Sequence, residues 1–124
     1  MWQGVLEVMY FVEDRRKAAE WYSNLTQHPI LFLESPEHFF IRIGNQDIWF
    51  HAADSKSPSG TGGQLAYWQV DDFDEVVSQA TKMGAILHRG PLDRVDGTWM
   101  CQMRDPFGNV LGLIGPRFIV KCFA

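Results

Sequence analysis

The chain repeats itself at half its length. Residues 5–14 read Val-Leu-Glu-Val-Met-Tyr-Phe-Val-Glu-Asp, and residues 63–72 read Gly-Gln-Leu-Ala-Tyr-Trp-Gln-Val-Asp-Asp. Each is a strand-like apolar run that ends in an acidic pair and leads into an amphipathic helix. Val12 and Asp14 of the first copy correspond to Val70 and Asp72 of the second, a constant offset of 58 residues. Such a repeat restricts the fold to two like units, each too small to cover both sides of its own sheet. Small ligands bind where such units meet.

Reading outward from these anchors gives the elements. A strand is expected at 5–12, apolar at nearly every position. Asp14 then caps a helix whose stripe is Ala18, Trp21, Tyr22 and Leu25. His28-Pro29 stops it, and strands follow at about 30–33, 39–43 and 47–51, the last two joined by a Gly44-Asn45 turn. Residues 54–63 hold no large apolar side chain and read as a linker. The second copy places a strand at 65–70. Asp72 and Glu75 form a capping-box-like helix start, and Gly84 ends that helix. Strands are expected at about 85–88, 98–104 and 110–114, with Asp105-Pro106-Phe107-Gly108-Asn109 as the turn between the last two. Residues 89–97 read as a loop. Each unit is therefore βαβββ, a sheet with one face covered by a helix and one bare.

Composition narrows the function. A net charge of −4 with scattered basic residues excludes a nucleic-acid module, which needs a basic stripe. No apolar run reaches membrane-spanning length and no signal-peptide pattern opens the chain. Two cysteines, Cys101 and Cys122, are too few for a disulfide framework and point to a reducing, cytoplasmic setting.

The paired βαβββ order, the Val-x-Asp helix starts, Trp21-Tyr22, and the run Arg104 to Asn109 resemble the vicinal oxygen chelate superfamily over about residues 4–115. That group includes glyoxalase I, bleomycin-resistance proteins and extradiol dioxygenases. The resemblance implies an α+β fold in one domain spanning 1–124: a first module at 4–53, the linker at 54–63, a second module at 64–115 and an apolar tail at 116–124. It implies one cupped mixed sheet with the functional cleft on its concave face, and a homodimer. Metal-dependent members carry four ligands, usually His or Glu and sometimes Gln, on the first and last strands of the two units. Aligned on this chain, those positions fall at Glu7, Trp49, Leu65 and Gly112. Only Glu7 offers a ligand atom, and His51 on the same strand face is the nearest second donor. No cofactor is expected; a divalent metal at Glu7 and His51 is one ligand short of an open catalytic site.

Strand alternation assembles the candidate ligand face: Glu7 and Met9, Trp49 and His51, Tyr67 and Gln69. Trp99 and Cys101 join it because they follow the loop at 89–97. Glu7 either faces ligand, as a general base if the cleft is dry, or pairs with Arg42 or Arg104. His51 is a catalyst or a structural group. Trp49 and Tyr67 either stack on a planar or cationic ligand or fill the cup. Cys101 has no neighbouring base and reads as a buried thiol. The expected function is metal-independent binding of a small organic molecule. The rivals are a glyoxalase-like lyase, isomerase or dioxygenase using Glu7 and His51, and a regulatory or structural dimer whose cleft is shut by its own side chains.

Overall fold

The computed structural model describes residues 1–33 and 35–118. The elements run β1 (Glu7–Val12), α1 (Arg15–Thr26), β2 (Leu31–Leu33), β3 (Ser35–Ile43), β4 (Gln46–Ala52), β5 (Tyr67–Gln69), α2 (Phe73–Lys82), β6 (Ile86–Asp93), β7 (Thr98–Arg104) and β8 (Val110–Pro116). The two sheets share one order, β1-β4-β3-β2 and β5-β8-β7-β6, with the first pair parallel and the others antiparallel. The repeat seen in the sequence is thus a repeat of topology, and the fold is α+β. No helix among the described residues is long and apolar enough to cross a membrane.

The helix starts follow local chemistry. Asp14 accepts from the Lys17 backbone N–H and Asp72 from that of Glu75, each at 3.1 Å, which satisfies one amide left open at each helix start. α1 ends on Gln27 in the left-handed region at φ 58°, and α2 ends on Met83, one residue before Gly84 at φ +99°.

In the first unit, Tyr10 and Val12 of β1, Phe39 and Ile41 of β3, and Ile48 and Phe50 of β4 are buried with Ala18, Ala19, Tyr22 and Leu25 of α1. The Tyr22 ring lies 5.3 Å from Tyr10 and 5.2 Å from Phe50, centroid to centroid. Burying a ring of that size contributes about 2–3 kcal/mol. In the second unit the buried set is Phe73 and Ala80 of α2, Ala85, Cys101 and Met103, and Val110, Leu111 and Leu113.

The chain divides into two compact units, and the division is not a clean cut. The first gathers residues 1–61 together with Phe107–Asn109; the second holds 62–106 and the residues from 110 on. Asn109, 7% exposed, donates from Nδ2 to the Phe11 carbonyl at 2.9 Å and accepts from the Gly60 N–H at 2.8 Å. Phe107 meets Trp21 edge to face at 6.2 Å.

Several boundaries differ from the sequence reading. β1 begins at Glu7 because Val5 and Leu6 lie exposed outside the ladder. β5 is three residues long, not six. The expected loop at 89–97 shrinks to residues 94–97: β6 runs on to Asp93, opposite Trp99. It does so as an edge strand, where Pro91 forfeits no ladder bond to a second neighbour, with register shifts between Leu87 and Arg89 and again between Arg89 and Leu92. Of the expected tail, Pro116 ends β8, and residues 119–124, Cys122 among them, lie outside the described residues.

Candidate ligand-binding faces

In the first unit the face turned away from α1 carries Glu7, Met9 and Phe11 on β1, Asp47, Trp49 and His51 on β4, and His38, Phe40 and Arg42 on β3. Register fixes the neighbours: Met9 beside Trp49, Trp49 beside Phe40, Phe11 beside His51, Glu7 beside Asp47. Phe40 and Trp49 stack with centroids 4.3 Å apart and planes at 21°. His51 meets Phe11 at 6.4 Å edge to face and His38 at 6.4 Å with nearly parallel rings. The Arg42 guanidinium lies 5.4 Å over the Phe40 ring and holds Asp47 through two bonds of 2.7 and 3.1 Å. The Arg42 hydrogen bond holds the Asp47 carboxyl below the ordinary carboxylate range and, in turn, raises the guanidinium's own value. Both groups are open to water, so the pair orients Arg42 more than it stabilises the fold.

Arg42 is thereby taken by Asp47. Glu7 is exposed at the start of β1 and makes no ion pair among the described residues. Trp49 is half-buried, and its Nε1 is sealed from solvent with no hydrogen-bond partner; no other buried side-chain nitrogen or oxygen among the described residues is left so.

In the second unit the face away from α2 carries Tyr67 and Gln69, Gly112 and Ile114, and Met100 and Gln102. Tyr67 lies across Gly112: a Cβ on that glycine would fall 2.7 Å from the tyrosine Cε1. The Tyr67 hydroxyl accepts from Gln102 Nε2 at 3.1 Å.

Trp99 and Cys101 lie on the other face. Cys101 pairs with Leu113 and Trp99 with Gly115, the parity that meets the helix. Arg117 spans that side, 4.6 Å over the Trp99 ring and ion-paired to Asp74 of α2 at 2.9 Å. Burial pushes the Cys101 thiol up to about 11. At pH 8 only about one molecule in a thousand then carries the reactive thiolate. Iodoacetamide at pH 8 is expected to leave the Cys101 peptide unlabelled in the folded protein and to label it fully in denaturant. Complete labelling of the native protein within an hour, read by peptide mass mapping, would contradict this burial.

The residues do not fit the metal site that the resemblance implies. Of the four aligned positions, Trp49 and Leu65 offer no ligand atom, and the space above Gly112 holds the Tyr67 ring. Glu7 stands opposite Asp47 and Phe11 opposite His51, so Glu7 and His51 are four register steps apart. That is about 13 Å along the strands, with side chains standing perpendicular to the sheet, too far to meet on one ion. Among the described residues no three His, Cys, Asp or Glu side chains gather.

His38 and Phe40 are the neighbours that reading the sequence strand by strand overlooks, and Arg42, expected as a partner for Glu7, belongs beside Asp47. The turn at Gly44-Asn45 could have found them. It pairs Ile43 with Gln46, and counting outward sets Phe40 opposite Trp49.

Comparison with known proteins agrees with this architecture. A glyoxalase/bleomycin resistance protein/dioxygenase family enzyme from Burkholderia phytofirmans PsJN superposes with a TM-score of 0.75 at 20% identity, covering 89% of this chain and 96% of its own. TnmS3, an antibiotic binding protein from Streptomyces sp. CB03234, gives 0.72 at 20% identity over 92% and 96%. The fosfomycin resistance protein FosX from Listeria monocytogenes gives 0.72 at 14% identity over 98% and 97%. At these identities the likeness is one of fold. No curated protein matches the sequence. The model of the Glyoxalase/Bleomycin resistance protein/Dioxygenase superfamily, however, matches residues 4–113, nearly the whole chain, and the protein belongs to that superfamily.

Proposed function

We propose that this protein binds a small planar organic molecule, without a metal, on the aromatic face of its first unit. The observation that carries this is the Phe40–Trp49 stack, flanked by Met9, Phe11, His38 and His51 on a sheet face that α1 does not cover. Phe40 is itself buried at 6% exposed and backs the indole, so the half-buried Trp49, Met9, Phe11 and His51 are the part of this face that a flat ligand would cover, gaining both buried area and ring–ring attraction. Proteins of like fold described as antibiotic-binding and as fosfomycin-resistance proteins make a toxic compound or antibiotic the ligand class to try first. The ligand count given above supports the metal-free part of the reading.

The test is a thermal-shift and tryptophan-fluorescence screen of chelator-treated protein against planar aromatic compounds. A ligand that binds only the folded state raises Tm. Trp49→Ala is expected to weaken any hit roughly 30-fold, since it removes about 2 kcal/mol of ring contact and burial. Affinity unchanged in Trp49→Ala would move the site elsewhere, and binding that returns only on adding a divalent metal would sink the metal-free reading.

A further inference from the structure

Trp49 is a poor choice for mere filling. Its ring is half-buried against Phe40, and its Nε1–H is shut from water and donates to nothing. Buried polar groups are almost always paired, and a stranded donor is penalised because it gave up water for no partner. Phenylalanine would stack on Phe40 as well and strand nothing. The indole N–H therefore makes chemical sense only when an acceptor is brought to it.

We propose that Trp49 is the polar anchor of the aromatic face, its Nε1–H donating to an acceptor on the bound ring system. The inference rests on the ligand-binding reading above and narrows it: the ligand is a planar aromatic molecule carrying a ring carbonyl, an ether oxygen or a ring nitrogen. Phe40 occupies one side of the indole, and Met9 stands next to Trp49 in the β1–β4 register. With three rotatable side-chain bonds and no branch, Met9 can shift at low cost to admit a ligand to the indole edge. The stacking surface supplies affinity for any flat ring; the single donor supplies choice among them, because a ligand lacking the acceptor leaves the N–H stranded.

Two probes that differ only in the acceptor separate these contributions. 9-Oxofluorene-2-carboxylate and fluorene-2-carboxylate have the same flat frame and the same charge, one with a ring carbonyl and one with a methylene. Titration calorimetry on the wild-type protein is expected to show the ketone binding about tenfold more tightly. In Trp49→Phe the two affinities should converge, while Tm in the absence of probe should be unchanged or slightly raised, because the stranded donor is gone. Equal affinities for both probes in the wild type would overturn the anchor and leave the aromatic ligand site standing. A preference that survives Trp49→Phe, or a large loss of Tm in that variant without loss of preference, would overturn it too. If neither probe binds, the anchor fails together with the ligand-binding reading beneath it.

Discussion

Gly115→Ala is expected to destabilise the protein by about 3 kcal/mol and lower Tm by roughly 10 °C, near the upper end of what overpacking does. A Cβ on Gly115 would overlap the Val70 carbonyl oxygen and come within 2.9 Å of Val70 Cγ2. The obstacle is mainly backbone, so it cannot swing aside like the end of a long side chain. Gly115 is also held from the other side, paired with Trp99 in β7, while the Val70 N–H donates to the Ile114 carbonyl at 2.8 Å. Admitting a methyl group means spreading β5 from β8, and β5 has only three residues of pairing to lose. Gly62 is the control: nothing lies within 4 Å of its added Cβ, so Gly62→Ala should change stability by less than about 0.5 kcal/mol. Denaturant unfolding of the two variants side by side checks this, and similar midpoints would refute the close approach of Val70 to Gly115.

The second large effect belongs to Asn109. Its amide uses both ends, donating to the Phe11 carbonyl and accepting from Gly60. Asn109→Ala deletes both bonds in a site that is 7% exposed, a loss of about 2 kcal/mol. Asn109→Asp has nearly the same shape and still accepts from Gly60, yet it should be worse, at about 3 kcal/mol or more. It cannot donate to Phe11, and it sets a poorly solvated carboxylate against a carbonyl oxygen. The order of the two variants is the informative readout: Asp tolerated better than Ala would mean that the bond to Phe11 contributes little.

Local chemistry was legible from the sequence. The caps at Asp14 and Asp72, the Gly44-Asn45 hairpin and the span of β7 each depend on residues within a few positions of one another. The family was legible because these local pieces recur in one order across both halves. Pairing beyond the turn was available but needed counting. Arg104 opposite Val110 carries Cys101 to Leu113, which takes Cys101 and Trp99 off the face of Tyr67 and Gln69. The outer part of β6, beyond the expected strand at 85–88, was missed because Gly90-Pro91 is a breaker in most settings and is tolerated only on a sheet edge, and edge position is a property of the whole sheet. The bond from Asn109 to Phe11, 98 residues apart, and the stranded indole of Trp49 have no local signature at all. They arise from which surfaces meet after the chain has folded.

The three residues Phe107–Asn109 bear on how such proteins can be recombined. A gene spliced in the middle of 54–63 exchanges what look like interchangeable halves. The first unit, however, is completed by a short stretch encoded well past that splice. A chimera joined there takes residues 1–61 from one parent and the amide that closes the end of β1 from the other. Exchange of the first half should therefore succeed when the donor's turn at 107–109 travels with it, so the transferable module is defined by two crossover points rather than one.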